Sequence, residues 1–353
     1  MIAYDESRQR VVLFGGYDEE SATYLGDTWE WDGGQWHFMT DTGPGPRVHT
    51  SVAYDGKLQH VMLLGGHRRD GDTRDTWQWD GVAWQEVFDP NKRPRARNGQ
   101  GLAYDSRHRK LVMFGGGATG NTQAYSDTWA SSVPDWKRRL HAGGPGGRFP
   151  YNAFAYDRAQ GLTVQYSGLC VTSDTWGFDG FTWAMLPGAV PTPRAGPGIA
   201  YDSARHRLVL YGGDDCGLGA PADTWEWDGS DWQQVATSGP GPRVHAPALA
   251  YDAGSGMVIL FGGAGETSTV MHDTWGWSGS TYRCAAAKAG DINCDGFVDD
   301  DDRRIVVSGE GSLACAPDDT RDLDGDGRIT PADTAALVAL CTRGNCERGG
   351  DAD

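Results

Sequence analysis

A motif set repeated six times at a period near fifty residues limits what this chain can fold into more than any other feature. The tripeptide Ala-Tyr-Asp ends at Asp5, Asp55, Asp105, Asp157, Asp202 and Asp252, with spacings of 50, 50, 52, 45 and 50 residues. In five copies a Gly-Gly pair closes an apolar run soon after, at Gly15-Gly16, Gly65-Gly66, Gly115-Gly116, Gly212-Gly213 and Gly262-Gly263; the fourth copy has Ser167-Gly168. Asp-Thr-Trp follows in all six, ending at Trp29, Trp77, Trp129, Trp176, Trp225 and Trp275. One more aromatic closes each copy: Trp36, Trp84, Trp136, Trp183, Trp232 and Tyr282. Such repetition marks an array whose units bury their apolar faces against one another.

Each unit reads as four short antiparallel strands. In the second copy, Val48 to Tyr54 and His60 to Leu64 are apolar or alternating, and Asp55-Gly56 predicts a tight turn between them. Trp77 and Trp79 stand two apart, so both rings project from one sheet face while Gln78 faces the other. Asp80-Gly81 then turns the chain into the strand of Trp84. One such sheet cannot bury its aromatic face alone, whereas six packed radially can. All 15 Trp fall at such equivalent places, which makes them core, with a sugar-stacking platform as the secondary reading. Asp27, Asp75, Asp127, Asp174, Asp223 and Asp273 recur in every copy and so read as turn or inter-blade hydrogen-bond formers.

The double Gly after an apolar strand, the aromatic beyond it and the period near fifty resemble the kelch family, of the kind found in the central domain of galactose oxidase. The resemblance implies an all-β, six-bladed β-propeller over residues 1–284. It implies no single function, since kelch-type propellers serve as oxidases, sugar epimerases, lyases and protein-binding scaffolds. The first copy lacks a Pro-Arg lead-in and its first strand is only Met1 to Tyr4; with no secretory signal at Met1, this leads to the expectation that the natural N terminus lies upstream.

Arg47, Arg97, Arg148, Arg194 and Arg243 stand seven or eight residues before the Tyr of the first strand, which lines the central channel in kelch-like propellers. Two continue as Arg47-Val48-His49 and Arg243-Val244-His245. These residues are the candidate ligand-binding set at the propeller, a basic channel mouth for an acidic or polyhydroxylated ligand. The competing reading has each Arg bonding backbone carbonyls of the neighbouring blade. Breaks in the pattern are further candidates: Ser131 with Lys137, Arg138, Arg139 and His141 in copy three, and His67-Arg68-Arg69-Asp70 in copy two. Cys170 and Cys216, at like offsets in adjacent copies, are compatible with a disulfide. No Tyr-His dipeptide of a galactose-oxidase-like copper site occurs, nor does a sialidase-like Asp box, and no catalytic residues are identified.

The tail changes character after Cys284. Residues 290–353 hold 16 Asp and Glu against 6 Arg, so most of the net charge of -17 sits there. Asp291, Asn293, Asp295, Asp299 and Asp302 occupy positions 1, 3, 5, 9 and 12 of a loop with Gly296 at 6 and the Phe297 carbonyl at 7. Asp322, Asp324, Asp326, Thr330 and Asp333 repeat the spacing, with Gly327 at 6 and the Arg328 carbonyl at 7. A hard cation needs six or more oxygens, and this EF-hand-like pattern delivers them from one turn of chain, predicting two Ca²⁺ sites. Helices are expected at Arg303 to Val307 and Thr334 to Cys341.

The paired loops are similar to a dockerin type I domain, which folds on calcium. The expected organisation is therefore the propeller at 1–284, a linker at 285–289, a small α-helical dockerin-like domain at 290–346 and an acidic tail at 347–353. The resemblance implies a cohesin-like partner, although positions 10 and 11, Asp300-Asp301 and Pro331-Ala332, depart from the small hydroxyl pair that cohesins engage. Calcium loops with Cys294, Cys315, Cys341 and Cys346 favour an oxidising, extracellular or cell-surface location. The acidic balance argues against nucleic acid, and no run of about 18 apolar residues offers a membrane span. Together these features indicate a carbohydrate- or protein-binding propeller with a docking module. The alternative is a carbohydrate-active enzyme of polysaccharide catabolism.

Overall fold

Burial alternates along Ser51–Asp55, the pattern of a strand with two unlike faces, and the same Ala-Tyr-Asp strand recurs in every repeat. The computed structural model describes residues 1–19, 21–87, 92–120, 124–132, 135–139, 143–149, 151, 153–166, 173–214, 221–244, 247–265, 270–285, 323 and 330–340. Among the described residues, twenty-four strands form six sheets of four, each a meander of consecutive antiparallel strands. The chain is a six-bladed β-propeller.

The second blade shows the plan: β5 (Ser51–Asp55), β6 (His60–Arg68), β7 (Gly71–Trp79) and β8 (Trp84–Glu86). The first strands of the six blades are β1 (Ile2–Asp5), β5, β9 (Gly101–Asp105), β13 (Phe154–Asp157), β17 (Gly198–Asp202) and β21 (Ala248–Asp252). Each lies against the next around the axis, and β21 returns to lie against β1, which closes the ring.

Two details differ from the sequence reading. Strand β5 begins at Ser51 rather than Val48, because Val48 makes an isolated antiparallel bridge with His67 and His49 takes a left-handed φ of 52°. The turn after Asp55 is longer than two residues: the Asp55 carboxylate accepts the Lys57 and Leu58 amides and Gln59 adopts φ 61°. The same Asx geometry holds Asp5, Asp157 and Asp202 in their blades, so these acids are turn formers.

The core is divided among six clusters, one between each pair of adjacent blades. Between the first two blades, Val12, Phe14, Val61, Leu63, Trp79 and Trp84 pack together, with the two Trp rings 5.5 Å apart. A polar bond crosses each interface: the closing aromatic of one blade donates to, or shares a hydrogen with, the Asp-Thr-Trp threonine of the preceding blade. The pairs are Trp84 to Thr28, Trp136 to Thr76, Trp183 to Thr128, Trp232 to Thr175 and Tyr282 with Thr224. Trp36 to Thr274, at 2.9 Å, joins the sixth blade to the first.

Trp79 is fully buried and its Nε1 donates to Glu30 of the preceding blade at 2.7 Å. Replacing Trp79 with Ala opens a cavity and removes one hydrogen bond to Glu30, which keeps its ion pair with Arg8, so we expect a loss of about 3–5 kcal/mol in urea unfolding. Trp79→Phe retains most of the packing and is expected to lose only about 1–3 kcal/mol.

Candidate functional site

The five lead-in arginines are almost wholly buried inside the blades that follow them. Arg47 donates through Nη1 and Nη2 to the two oxygens of Asp75 at 2.8 and 2.9 Å, and through Nη1 to the Gly65 carbonyl at 3.0 Å. Arg97 with Asp127, Arg148 with Asp174 and Arg194 with Asp223 repeat the two-pronged pairing, and Arg243 reaches Asp273 through Nη2. The carbonyl acceptors lie in the arginine's own blade, and the aspartate of Asp-Thr-Trp is the principal partner. Neither point is visible in the sequence, because the two residues stand 26 to 30 positions apart.

Each of these aspartates also accepts its own Trp Nε1, as from Trp77 to Asp75 at 2.8 Å. Burial works against the charge on Asp75, Asp127, Asp174 and Asp223, but the arginine hydrogen bonds and charge outweigh it and hold all four carboxyls below the usual range.

His49 is placed differently. It is exposed at the channel end, its carbonyl accepts the Gly99 amide, and the Gly99 carbonyl accepts the Tyr151 amide, so the lead-in segments step around the axis. The His49 and Tyr151 rings meet edge to face at 5.3 Å. Both line a cavity of about 830 Å³ at the junction of the sixth and first blades. Apolar walls come from Trp29, Trp36, Phe261 and Met271, and polar groups from Tyr17, Glu19, Asp27 and His272. Glu19 also accepts the Val270 amide across the junction at 3.2 Å. Of the candidate arginines only Arg47 touches this cavity. Sequence reasoning reached this site only through Arg47 and His49, because its other walls come from opposite ends of the repeat array.

The charged segments of copies two and three have local explanations. In the former, His67 Nδ1 lies 2.8 Å from Asp72 Oδ1, and Asp72 also accepts from Asn98 and from the Thr119 amide. Burial opposes the charge on Asp72, and these hydrogen bonds, the Thr119 amide foremost, lower its pKa. In the latter, Lys137, Arg138 and Arg139 sit on the outermost strand, β12 (Asp135–Arg139), and do not line the cavity.

His141, Cys170, Cys216 and His245 lie outside the described residues, as do Cys294, Cys315, Cys341 and Cys346. The same holds for Asp291, Asn293, Asp295, Phe297, Asp299, Asp302, Asp322, Asp324, Asp326 and Arg328. Of the expected calcium ligands, Thr330 and Asp333 are described. The buried Asp333 carboxylate accepts the Leu323 and Thr330 amides, both at 2.7 Å, and the Thr330 hydroxyl accepts the Ala332 amide. This capping box, with Pro331 at the first helical position, starts helix α1 (Pro331–Leu340) three residues earlier than the sequence reading.

Comparison with protein-family models and with curated proteins finds no match to this chain.

The arginine pairs set an acid limit. Because the four folded pKa values lie below their unfolded value near about 3.9, the stabilisation is complete above that pH and is lost as pH falls through the folded values. Urea unfolding is expected to give level stability down to about pH 5 and a decline from about pH 4 downward. Asp223→Asn should begin about 3–5 kcal/mol lower and show a shallower acid slope.

Proposed function

We propose that the protein is an extracellular binding protein in which a kelch-like propeller recognises a carbohydrate or protein ligand and a dockerin-like, calcium-folded tail docks or anchors it. The observation that carries the binding reading is the cavity between the sixth and first blades. It combines aromatic rings, two histidines and two carboxylates, Glu19 and Asp27, in one concave site. Five of the six aspartates common to the repeats are paired with the lead-in arginines, so ligand selectivity at the cavity falls mainly to residues that the repeats do not share. A glycan array probed with the intact protein tests the carbohydrate arm directly.

The rival reading, a carbohydrate-active enzyme, draws on the same carboxylates and on His49 and His272. Mass analysis of any bound glycan separates the two, since released fragments favour the enzyme and intact ligand favours the binder.

For the tail, the oxygen-only donor set suits a hard cation such as Ca²⁺, which would draw the second loop together around its two ends. Asp333 supports this reading, because its carboxylate already ties Leu323, at the start of that loop, to Thr330 near its end. No helix among the described residues is long and apolar enough to cross a membrane.

Calorimetric titration with Ca²⁺ is expected to fill two sites, and Asp333→Ala to remove the second. All Trp lie at or before Trp277, so chelator should melt the tail while Trp fluorescence stays constant. A silent titration removes the calcium module.

A further inference from the structure

Positive charge gathers on the third blade. Between Lys92 and Arg139 stand ten Lys and Arg against three Asp, in a chain of net charge -17. All three Asp are held locally. Asp105 accepts the His108 amide at 3.0 Å and lies 2.7 Å from its Nδ1, Asp127 takes both prongs of Arg97, and Asp135 accepts Lys92 Nζ at 2.9 Å. The excess is densest on β12, where Lys137, Arg138 and Arg139 follow one another, the first two exposed and the third half-buried.

Strand register shows that blade packing does not require these cations. β12 pairs with β11 (Thr128–Ser132), which sets Arg139, Arg138 and Lys137 opposite Thr128, Trp129 and Ala130. The corresponding places hold Thr40, Phe38 and His37 in the first blade and Ala236, Gln234 and Gln233 in the fifth. In the second and fourth blades the residue opposite the Trp is Glu86 or Met185. Blades thus assemble with neutral, apolar or acidic side chains at these positions, and the run on β12 serves another purpose.

Its geometry is that of a charged rim. Trp136 is buried and donates to Thr76 of the second blade, so Arg138, two residues on, projects from the same face, beside the half-buried Trp129. Lys137 and Arg139 project from the other face, about 6.6 Å apart along the strand. The Trp136 amide donates to the Lys92 carbonyl at 2.9 Å, which lays the exposed Lys92 along the outer edge of β12. Cations therefore straddle the outer strand, with one aromatic ring among them.

We propose that this rim binds a linear polysaccharide of uronic acids. A planar guanidinium takes a planar carboxylate through two parallel hydrogen bonds, the pairing that Arg47 makes with Asp75 inside the second blade. A polyuronate offers a carboxylate on every sugar, so one chain laid along β12 meets Lys137, Arg138 and Arg139 in turn, while the apolar face of a sugar ring covers Trp129. So short a cationic strip is small for duplex nucleic acid, whose phosphates would also meet the acidic remainder of the chain. The site is separate from the cavity between the sixth and first blades, and it rests on the carbohydrate arm of the binding reading.

Oligogalacturonate, titrated into the full chain by calorimetry at low salt, tests the proposal, with its methyl ester as the neutral counterpart. The acid is expected to bind, more weakly as salt is added, and the ester to bind at least about tenfold less tightly. Arg138→Gln should weaken binding about tenfold, and the triple change Lys137→Gln, Arg138→Gln, Arg139→Gln about a hundredfold. Lys57→Gln, the same loss of charge in an exposed turn of the second blade, should leave it unchanged. Circular dichroism checks the fold of each variant, and the ester comparison leaves the protein untouched. Absence of binding, equal binding of acid and ester, or equal losses in Arg138→Gln and Lys57→Gln overturns the proposal. Duplex DNA binding as tightly as oligogalacturonate overturns it in favour of a general polyanion site. Should the uronate fail while the chain self-associates at low salt, and Arg138→Gln abolish that association, the occupant is instead the acidic segment 290–353 of a second copy. A neutral glycan bound on the array without oligogalacturonate removes this site and keeps the carbohydrate reading, whereas silence in both experiments removes the two together.

Discussion

An arginine side chain clasped by an aspartate inside one blade, while the arginine's backbone is bonded to the blade before it, is the contact on which the described junctions depend. Side chain and main chain of a single residue thereby join two sheets whose apolar faces have little positional preference of their own. Replacing such a buried pair by hydrocarbon is often neutral in stability, whereas removing one partner leaves an uncompensated charge. What the pair supplies is registry. It holds the blade in place while Trp79 and its equivalents pack against the preceding blade, and the Trp-to-Thr bonds reach the same neighbour from the outer strand.

Six separate inter-blade cores follow from this arrangement, and each blade is supported chiefly by its two neighbours. The junction of the sixth and first blades keeps its hydrophobic cluster of Ile2, Val11, Trp31 and Ile259 and its Trp36 to Thr274 bond. It also borders a cavity of about 830 Å³ lined by Tyr17, Glu19 and His272. In a fold built from equivalent units, chemical individuality arises where equivalence fails. The cavity combines groups shared by all six repeats, such as Asp27, with groups peculiar to the ends of the array, such as Glu19 and His272.

Much of the architecture was legible because the physical demands on each blade are local. A Trp-x-Trp strand must present its rings to one face, and Gly15 and Gly65 take left-handed φ where a Cβ would strike a neighbouring backbone carbonyl at 3.0 Å or closer. The roles of the shared polar residues were less legible. Asp75 reads as a turn or inter-blade hydrogen-bond former, and its partner Arg47, far away in sequence, is seen only in the fold, while Thr76 carries no sequence signal for the bond it accepts from Trp136. Val48 looks like strand by composition, yet it forms a bridge apart from β5 because His49 turns left-handed to follow the channel rim. The candidate arginines were selected for their chemistry, and burial then showed that chemistry directed inward.

The sequence by itself determined the number of blades, the strands within each and the aromatic face each must bury, since period, alternation and turn residues act over a few positions. It also concentrates 16 Asp and Glu in residues 290–353. Only the tertiary structure decided which charges neutralise one another and where a concavity remains. Those outcomes depend on distances across blade junctions, between residues that the chain separates by whole strands or, at the closing junction, by nearly the whole propeller.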